Sequence, residues 1–151
     1  MIRVQEAPFD VGAELAALTA GRTDIGGVAS FTGLVRDMAG EQAITAMTLE
    51  HYPGMTERKL AEIEAEASAR WALQASLIVH RYGRMLPGEP IVLVATAAPH
   101  RAAALEACAF LIDWLKTQAP FWKLEETAGE SRWVAARASD DRAAARWARQ
   151  R

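Results

Sequence analysis

The segment LKTQAPFWK at positions 115–123 constrains the fold more than any other part of this chain. Apolar residues at helical spacing lead into it, and Pro120 ends that pattern. Because proline has no N–H and disfavours helical backbone in the residue before it, the helix is predicted to end near Gln118. This prediction places Lys116 on the last helical turn and Lys123 just beyond the kink.

Lysine is rare in this chain. The 17 basic residues include three lysines, Lys59, Lys116 and Lys123. A partly buried lysine can lose its proton and act as a base, an acid or a nucleophile, whereas arginine stays charged. The alternative is a lysine favoured by the dipole at a helix C-terminus, beside aromatic residues that close the core. Taken alone, the segment favours this structural interpretation.

Composition excludes several classes of protein. A chain of 151 residues fits one domain spanning residues 1–151, and its formal net charge of −2 gives no general attraction to nucleic acid or to a membrane surface. The single cysteine, Cys108, excludes an internal disulfide and suits a reducing cytoplasm. No signal peptide or membrane-spanning run is expected, so the predicted location is cytoplasmic. Because the three histidines show no ligand spacing, we expect no metal, and since the sequence has no Gly-rich phosphate loop and no dinucleotide fingerprint, we expect no cofactor.

Hydrophobic periodicity predicts both helices and strands. Helices are expected at positions 11–20, 55–71 and 99–118, with a fourth beginning at Ser139 or Asp140. Strands are expected at positions 2–5, 27–36, 43–52, 76–82 and 90–98, with a polar loop at 37–42 and a hairpin formed by 123–126 and 132–136. The principal helix should turn Leu105, Cys108 and Leu111 toward the core. This order of elements predicts a compact α+β domain with a mixed or antiparallel sheet.

The segment FTGLVR at positions 31–36 is a candidate anion site. A glycine within a strand often marks close approach of a ligand, and Arg36 could hold a phosphate or a carboxylate. The alternative is a bulge at Gly33 followed by a solvated arginine, and the segment alone favours it.

His100 and Arg101 form a second candidate site, at a predicted helix start where acidic residues are usual. Helix N-termini bind anions, so this mismatch suggests a bound anion. A hydrogen-bonded histidine beside an exposed arginine is an equal alternative. Arg137 lies just before the last helix, where it could form the rim of a pocket, while the other arginines of that helix are predicted to form a solvated face.

Together these segments resemble a known family, the large catalytic subunit of molybdopterin synthase. The resemblance rests on FTGLVR at 31–36, LEHYPGM at 49–55, PHR at 99–101, LKTQAPFWK at 115–123 and WVAAR at 133–137. These segments follow the order of the family along nearly the whole chain, and two of them are long and unusual strings. Pro99, Ile112 and Leu124 depart from the family pattern.

The resemblance implies an α+β fold of the hammerhead type. It also implies a homodimer with a small ubiquitin-like sulfur-carrier subunit docked on each protomer, which makes a heterotetramer. The C-terminal Gly-Gly tail of the carrier, as a thiocarboxylate, would enter the pocket of the large subunit. Two sulfurs would then pass to cyclic pyranopterin monophosphate and form the dithiolene of molybdopterin.

The resemblance further implies roles for individual residues. Lys116 matches the family lysine nearest the carrier terminus, and Lys123 matches the second active-site lysine. The substrate-binding positions carried over are Phe31, Leu34, Val35, Arg36, His100, Arg101, Leu124, Glu125 and Arg137. The carrier would supply the sulfur, so Cys108 need not react. The alternatives are a non-catalytic dimeric module that binds a phosphorylated metabolite and, with less support, a nucleic-acid-binding protein.

Overall fold

A computed structural model describes residues 1–134 and 138–148 of the chain. The α+β class expected from the sequence is confirmed, since helices and strands alternate along the chain. In order, the elements are β1 (Ile2–Gln5), α1 (Val11–Thr19), β2 (Gly27–Leu34), β3 (Met38–Ala39), β4 (Gln42–Ala43), β5 (Ala46–His51), α2 (Met55–Trp71), β6 (Ala75–Arg81), β7 (Gly83–Met85), β8 (Pro90–Ala98), α3 (Arg101–Thr117), β9 (Phe121–Thr127), β10 (Glu130–Val134) and α4 (Ala138–Ala148).

The strands form two four-stranded sheets and one short pair. The first sheet has the order β1-β6-β8-β2, the second has the order β10-β9-β5-β7, and β3 pairs with β4. In the first sheet β1 runs parallel to β6, while β6, β8 and β2 pair antiparallel. The second sheet is antiparallel throughout. The prediction of mixed and antiparallel pairing is therefore confirmed, with one sheet of each kind.

The principal helix ends where Pro120 predicts and begins later than expected. Its C-cap is Gln118, whose backbone N–H donates to the Trp114 carbonyl, but its N-cap is His100, with an extended backbone, and not Pro99. A tertiary contact explains the late start. The backbone of Gly26 approaches Pro99 so closely that a Cβ on Gly26 would lie 1.8 Å from the Pro99 carbonyl oxygen. This contact keeps Pro99 at the end of β8 and outside the helix.

The sequence does not predict two short pieces of strand structure. The segment expected to be a polar loop at 37–42 includes the short pair β3 and β4, in which Met38 lies opposite Ala43. β7 begins at Gly83, whose φ of +89° favours glycine, and pairs with β5. Strands of two or three residues show no period that a sequence pattern can reveal.

Helices α2 and α3 cover one face of the first sheet and form the main core. Cys108 lies in this core, as predicted, and burial raises the pKa of its thiol to about 11. The prediction for Leu105 is wrong, because its side chain is 60% exposed. The buried stripe of α3 passes through Ala104 and Ala107, and Leu105 points about 100° away from Ala104 around the helix.

The other face of the first sheet carries α1. Leu15 and Leu18 of this helix pack against Leu77 and Leu93 of the sheet. No helix of the described residues is both long and apolar enough to cross a membrane.

A smaller cluster of Val35, Met47, Leu49 and Met85 lies beside the point where β2 ends, and Ile91 packs against it. Its residues come from the end of β2 and from β5 and β7 of the second sheet. This cluster links the two sheets and forms the apolar base of a cavity.

Candidate functional site

A cavity of about 390 Å³ opens where both sheets meet the last turn of α3. Six of the residues predicted for the site line this cavity, namely Leu34, Val35, Arg36, Lys116, Lys123 and Glu125. They come from the end of β2, the C-terminus of α3 and β9, which are far apart in the sequence. Their apolar neighbours include Met47, Leu49 and Ile112.

The kink at Pro120 brings the two lysines to the same cavity. Lys116 stands on the last turn of α3, and Lys123 lies on β9 opposite Leu49 of β5. Alternation along β9 turns Phe121, Lys123 and Glu125 to the cavity, which all three line. The side chain of Glu125 is buried, so the cavity holds a carboxylate as well as cations.

The same alternation turns Leu124 to the opposite face of β9. Leu124 is not one of the residues that line the cavity. The resemblance predicts Leu124 in the substrate site, but it is the strand neighbour of Lys123, and neighbours along a strand point to opposite faces of the sheet.

The end of β2 places Arg36 at the cavity. The pairing of β2 with β8 shifts between Gly33 and Leu34, so Gly33 belongs to a bulge, as the structural alternative predicted. A Cβ on Gly33 would also lie 2.8 Å from Val92 Cγ1. Beyond the bulge, the Val35 backbone bonds to Glu89 and Gly88, which fixes the chain that carries Arg36.

Besides Leu124, three predicted site residues lie outside the cavity of this chain. Phe31 is exposed on β2, and His100 and Arg101 are exposed at the N-terminal end of α3. Arg101 and Lys116 stand fifteen positions apart on this helix, a separation of about 22 Å along its axis. Arg137 lies outside the described residues.

His80 lines the cavity, and sequence analysis missed it. Its ring stacks on Phe121, with 3.8 Å between the ring centroids and 16° between the planes. Its Nδ1 lies 2.9 Å from the Arg81 carbonyl oxygen, which only accepts, so Nδ1 carries the proton. The pKa of His80 is lowered to about 4, mainly by burial, with the hydrogen bond to the Arg81 carbonyl opposing the shift and smaller contributions from Lys116 and His51 adding to it. His80 is therefore neutral near pH 7, with a lone pair on Nε2.

Acid should destabilise the protein through His80. In the unfolded chain this histidine has a pKa near 6.5, so the unfolded state binds the proton more tightly and stability falls as pH drops from 6.5 towards 4. The loss is about 3 kcal/mol in the free energy of unfolding between pH 7 and pH 4. Urea unfolding of the wild type and of His80→Gln at both pH values isolates this contribution, because other titrating groups cancel. An equal loss in both proteins would contradict a buried neutral His80.

The charges in the cavity suit an anionic ligand with a planar part. Arg36, Lys116 and Lys123 are donors, and Glu125 and Asp140 are acceptors at the same cavity. Apolar side chains and the Phe121 ring supply flat surfaces. Among the described residues, no group of three or more His, Cys, Asp or Glu side chains could hold a metal ion.

Comparison with known proteins identifies the family. The family model described as MoaE protein matches residues 4–118. A Ralstonia nicotianae protein named molybdopterin synthase catalytic subunit is 57% identical over 146 residues, which cover 97% of this chain and 83% of that protein.

Solved structures agree with that match. The molybdopterin biosynthesis MoaE protein from Burkholderia ambifaria superposes with a TM-score of 0.84 at 53% identity, covering 98% of this chain and 97% of that one. A Helicobacter pylori structure, described as a complex of subunits 1 and 2 of molybdopterin-converting factor, shares the fold with a TM-score of 0.75 at 20% identity, over 90% and 91% of the two chains. With most of its length matched by the family model and by a relative more than half identical, this chain belongs to the MoaE protein family.

Proposed function

We propose that this chain is the catalytic subunit of a molybdopterin synthase. It transfers two sulfurs from the C-terminal thiocarboxylate of a small ubiquitin-like carrier to cyclic pyranopterin monophosphate and forms the molybdopterin dithiolene. The main observation that supports this proposal is that Lys116, Lys123 and Arg36 line one cavity. The name of the Ralstonia nicotianae relative supports it. In this proposal residues 1–151 act as one domain in the cytoplasm.

The two lysines have different tasks in this proposal. The carrier supplies the sulfur nucleophile, so the protein must hold an anionic thiocarboxylate and move protons. The Lys116 ammonium stabilises the thiocarboxylate, and a neutral Lys116 amine can accept a proton in the reaction. Lys123 neutralises the charge that develops as the cyclic phosphate opens. The apolar wall that includes Ile112 and Leu115 packs against the pterin ring.

The carrier tail enters along Phe121. This residue lines the cavity, whereas the neighbouring Trp122 is half exposed and turned away from it. We therefore assign Phe121, and not Trp122, to the wall of the narrow slot that receives the tail. Trp122 and the exposed Tyr52 lie on adjacent strand ends, where they could contact the folded body of the carrier.

The positions of Arg101 and His100 favour a site shared between two protomers. β2 forms one edge of the first sheet among the described strands, and its side chains Val28, Phe31 and Leu34 are exposed. If a twofold axis pairs two such edges, the strands run antiparallel and the start of one β2 lies beside the end of the other. Arg101 borders the start of β2, at Gly27, and the cavity borders its end. Arg101 of the partner subunit would then approach the cavity.

A mixed dimer tests this arrangement. Arg36→Ala and Arg101→Ala homodimers should each lose about tenfold or more in turnover, since a charge-assisted bond to phosphate is worth about 1.5–3 kcal/mol. In a heterodimer of the two variants, isolated with two different tags, one site contains both substitutions and the other contains neither. Turnover per dimer should therefore recover to about half of the wild-type value. A heterodimer as inactive as its parents would place both arginines in the site of one protomer.

Reconstitution tests the proposed function itself. The chain is mixed with thiocarboxylated carrier and cyclic pyranopterin monophosphate, and the dithiolene product is measured. A carrier ending in an ordinary carboxylate is the matched control, because it can dock but brings no sulfur. If the chain binds the pterin phosphate without forming product from the thiocarboxylated carrier, the non-catalytic metabolite-binding module is the better description.

A further inference from the structure

His80 offers the cavity a hydrogen-bond acceptor with no charge. Its Nδ1–H is occupied by the Arg81 carbonyl, which leaves Nε2 as the acceptor of the ring. Stacking on Phe121 holds the ring plane, and the side chain is 8% exposed. We propose that Nε2 of His80 accepts a hydrogen bond from the amide N–H of the terminal glycine of the carrier tail. This inference rests on the proposed function and assigns His80 a binding role in it.

The tail needs such an acceptor. A peptide that enters the cavity loses the water bound to its amide N–H groups, and an unpaired buried donor weakens binding. Lys116, Lys123 and Arg36 are donors only and leave such a group unsatisfied. The carboxylates of Glu125 and Asp140 can accept, but each would repel the negative end of the tail. His80 accepts without adding negative charge.

The position of His80 selects the last amide of the tail. His80 and Lys116 line the same cavity. Lys116 is the lysine proposed to hold the thiocarboxylate, and the terminal glycine nitrogen is only two bonds from the thiocarboxylate carbon. In this proposal the terminal glycine spans the distance between His80 and Lys116.

The ring stays neutral when it carries out this role. Burial is the main reason, and positive charge on Lys116 and His51 acts in the same direction. The charged or titratable groups that surround it across the cavity and from the neighbouring strands are Arg36, His51, Lys116, Lys123, Glu125 and Asp140.

Binding of a modified carrier tests the proposal without requiring turnover. The probe is a semisynthetic carrier with a carboxylate end, in which the last peptide bond is replaced by an ester that lacks the N–H. Wild-type protein should bind the ester carrier about three- to tenfold more weakly than the amide carrier. His80→Phe, which keeps a stacking ring, should bind the amide carrier more weakly by a similar factor and lose nothing further with the ester.

Two closer variants separate the hydrogen bond from packing. His80→Gln can place an oxygen near the position of Nε2 and should keep the difference between amide and ester carriers. His80→Asn keeps a donor near the position of Nδ1, lacks the acceptor, and should show no difference. If His80→Phe does not fold, these two variants test the hydrogen bond in its place. Near-UV circular dichroism establishes whether each variant is folded.

Three results would overturn the proposal. The first is equal binding of the amide and ester carriers to the wild-type protein. The second is that the losses of carrier affinity caused by the ester and by His80→Phe add together. The third is that His80→Phe changes only the KM of the pterin substrate. Failure of the proposed function has a different signature. In that case a carrier without its last two glycines binds as well as the intact carrier, whichever residue occupies position 80.

Discussion

Replacing Lys116 by alanine should reduce dithiolene formation by about a hundredfold or more, because acid–base groups typically contribute factors of that size. The folded state should survive the change. Lys116 is exposed on the last turn of α3, where a lysine contributes only about 0.3–1 kcal/mol through the helix dipole. Product formation and the thermal midpoint are measured on the same preparation.

The chain contains a matched control for this substitution. Lys59 is also an exposed helical lysine, but it stands on α2 and pairs with Glu62 outside the cavity. Lys59→Ala should leave both turnover and carrier binding unchanged. Near-normal turnover in a folded Lys116→Ala protein would remove the lysine from the reaction and leave only its structural role at the end of the helix.

Deleting the last two glycines of the carrier should weaken its binding by about a hundredfold, equivalent to about 2.7 kcal/mol. Only glycine lets a backbone pass close to reacting groups, and Phe121 lines the same cavity as the two lysines. Contacts between the folded surfaces remain, so some affinity should persist. Titration of intact and truncated carriers by calorimetry measures the difference.

A second carrier distinguishes the shape of the slot from the charge at its end. Replacing the last two glycines by valines keeps the terminal carboxylate but adds side chains, and this carrier should bind nearly as weakly as the truncated one. If truncated and intact carriers bind equally, the tail does not enter the cavity. If neither binds, the metabolite-binding module becomes the leading description.

Individual residues show how much of the site could be predicted from the sequence. Lys116 and Lys123 could be placed together because Pro120 dictates a local turn, and a turn brings near neighbours in sequence close in space. Arg36 joined them only through the resemblance, since no local rule relates the end of β2 to the end of α3. The structure brings all three to one cavity.

Other residues could not be placed from the sequence. Leu124 and Leu105 carry the apolar side chains expected of buried positions, yet one lies on the opposite face of β9 and the other is exposed on α3. His80 is the next-to-last residue of β6, an ordinary alternating strand, and nothing beside it in the sequence marks a neutral acceptor. Its protonation follows from burial, from a carbonyl and from charges on other elements.

The sequence by itself determined the elements and their ends wherever the cause is local. Asp10 caps α1 with its side chain, Pro120 stops the extension of α3, and alternation defines the strands. Tertiary structure decided everything that depends on distant contacts. Gly26 delays the start of α3 by its approach to Pro99, β9 pairs with β5 across about seventy residues, and the cavity arises where these elements meet. Local rules fix backbone geometry over a few residues, whereas the environment of a side chain is set by every element that packs around it.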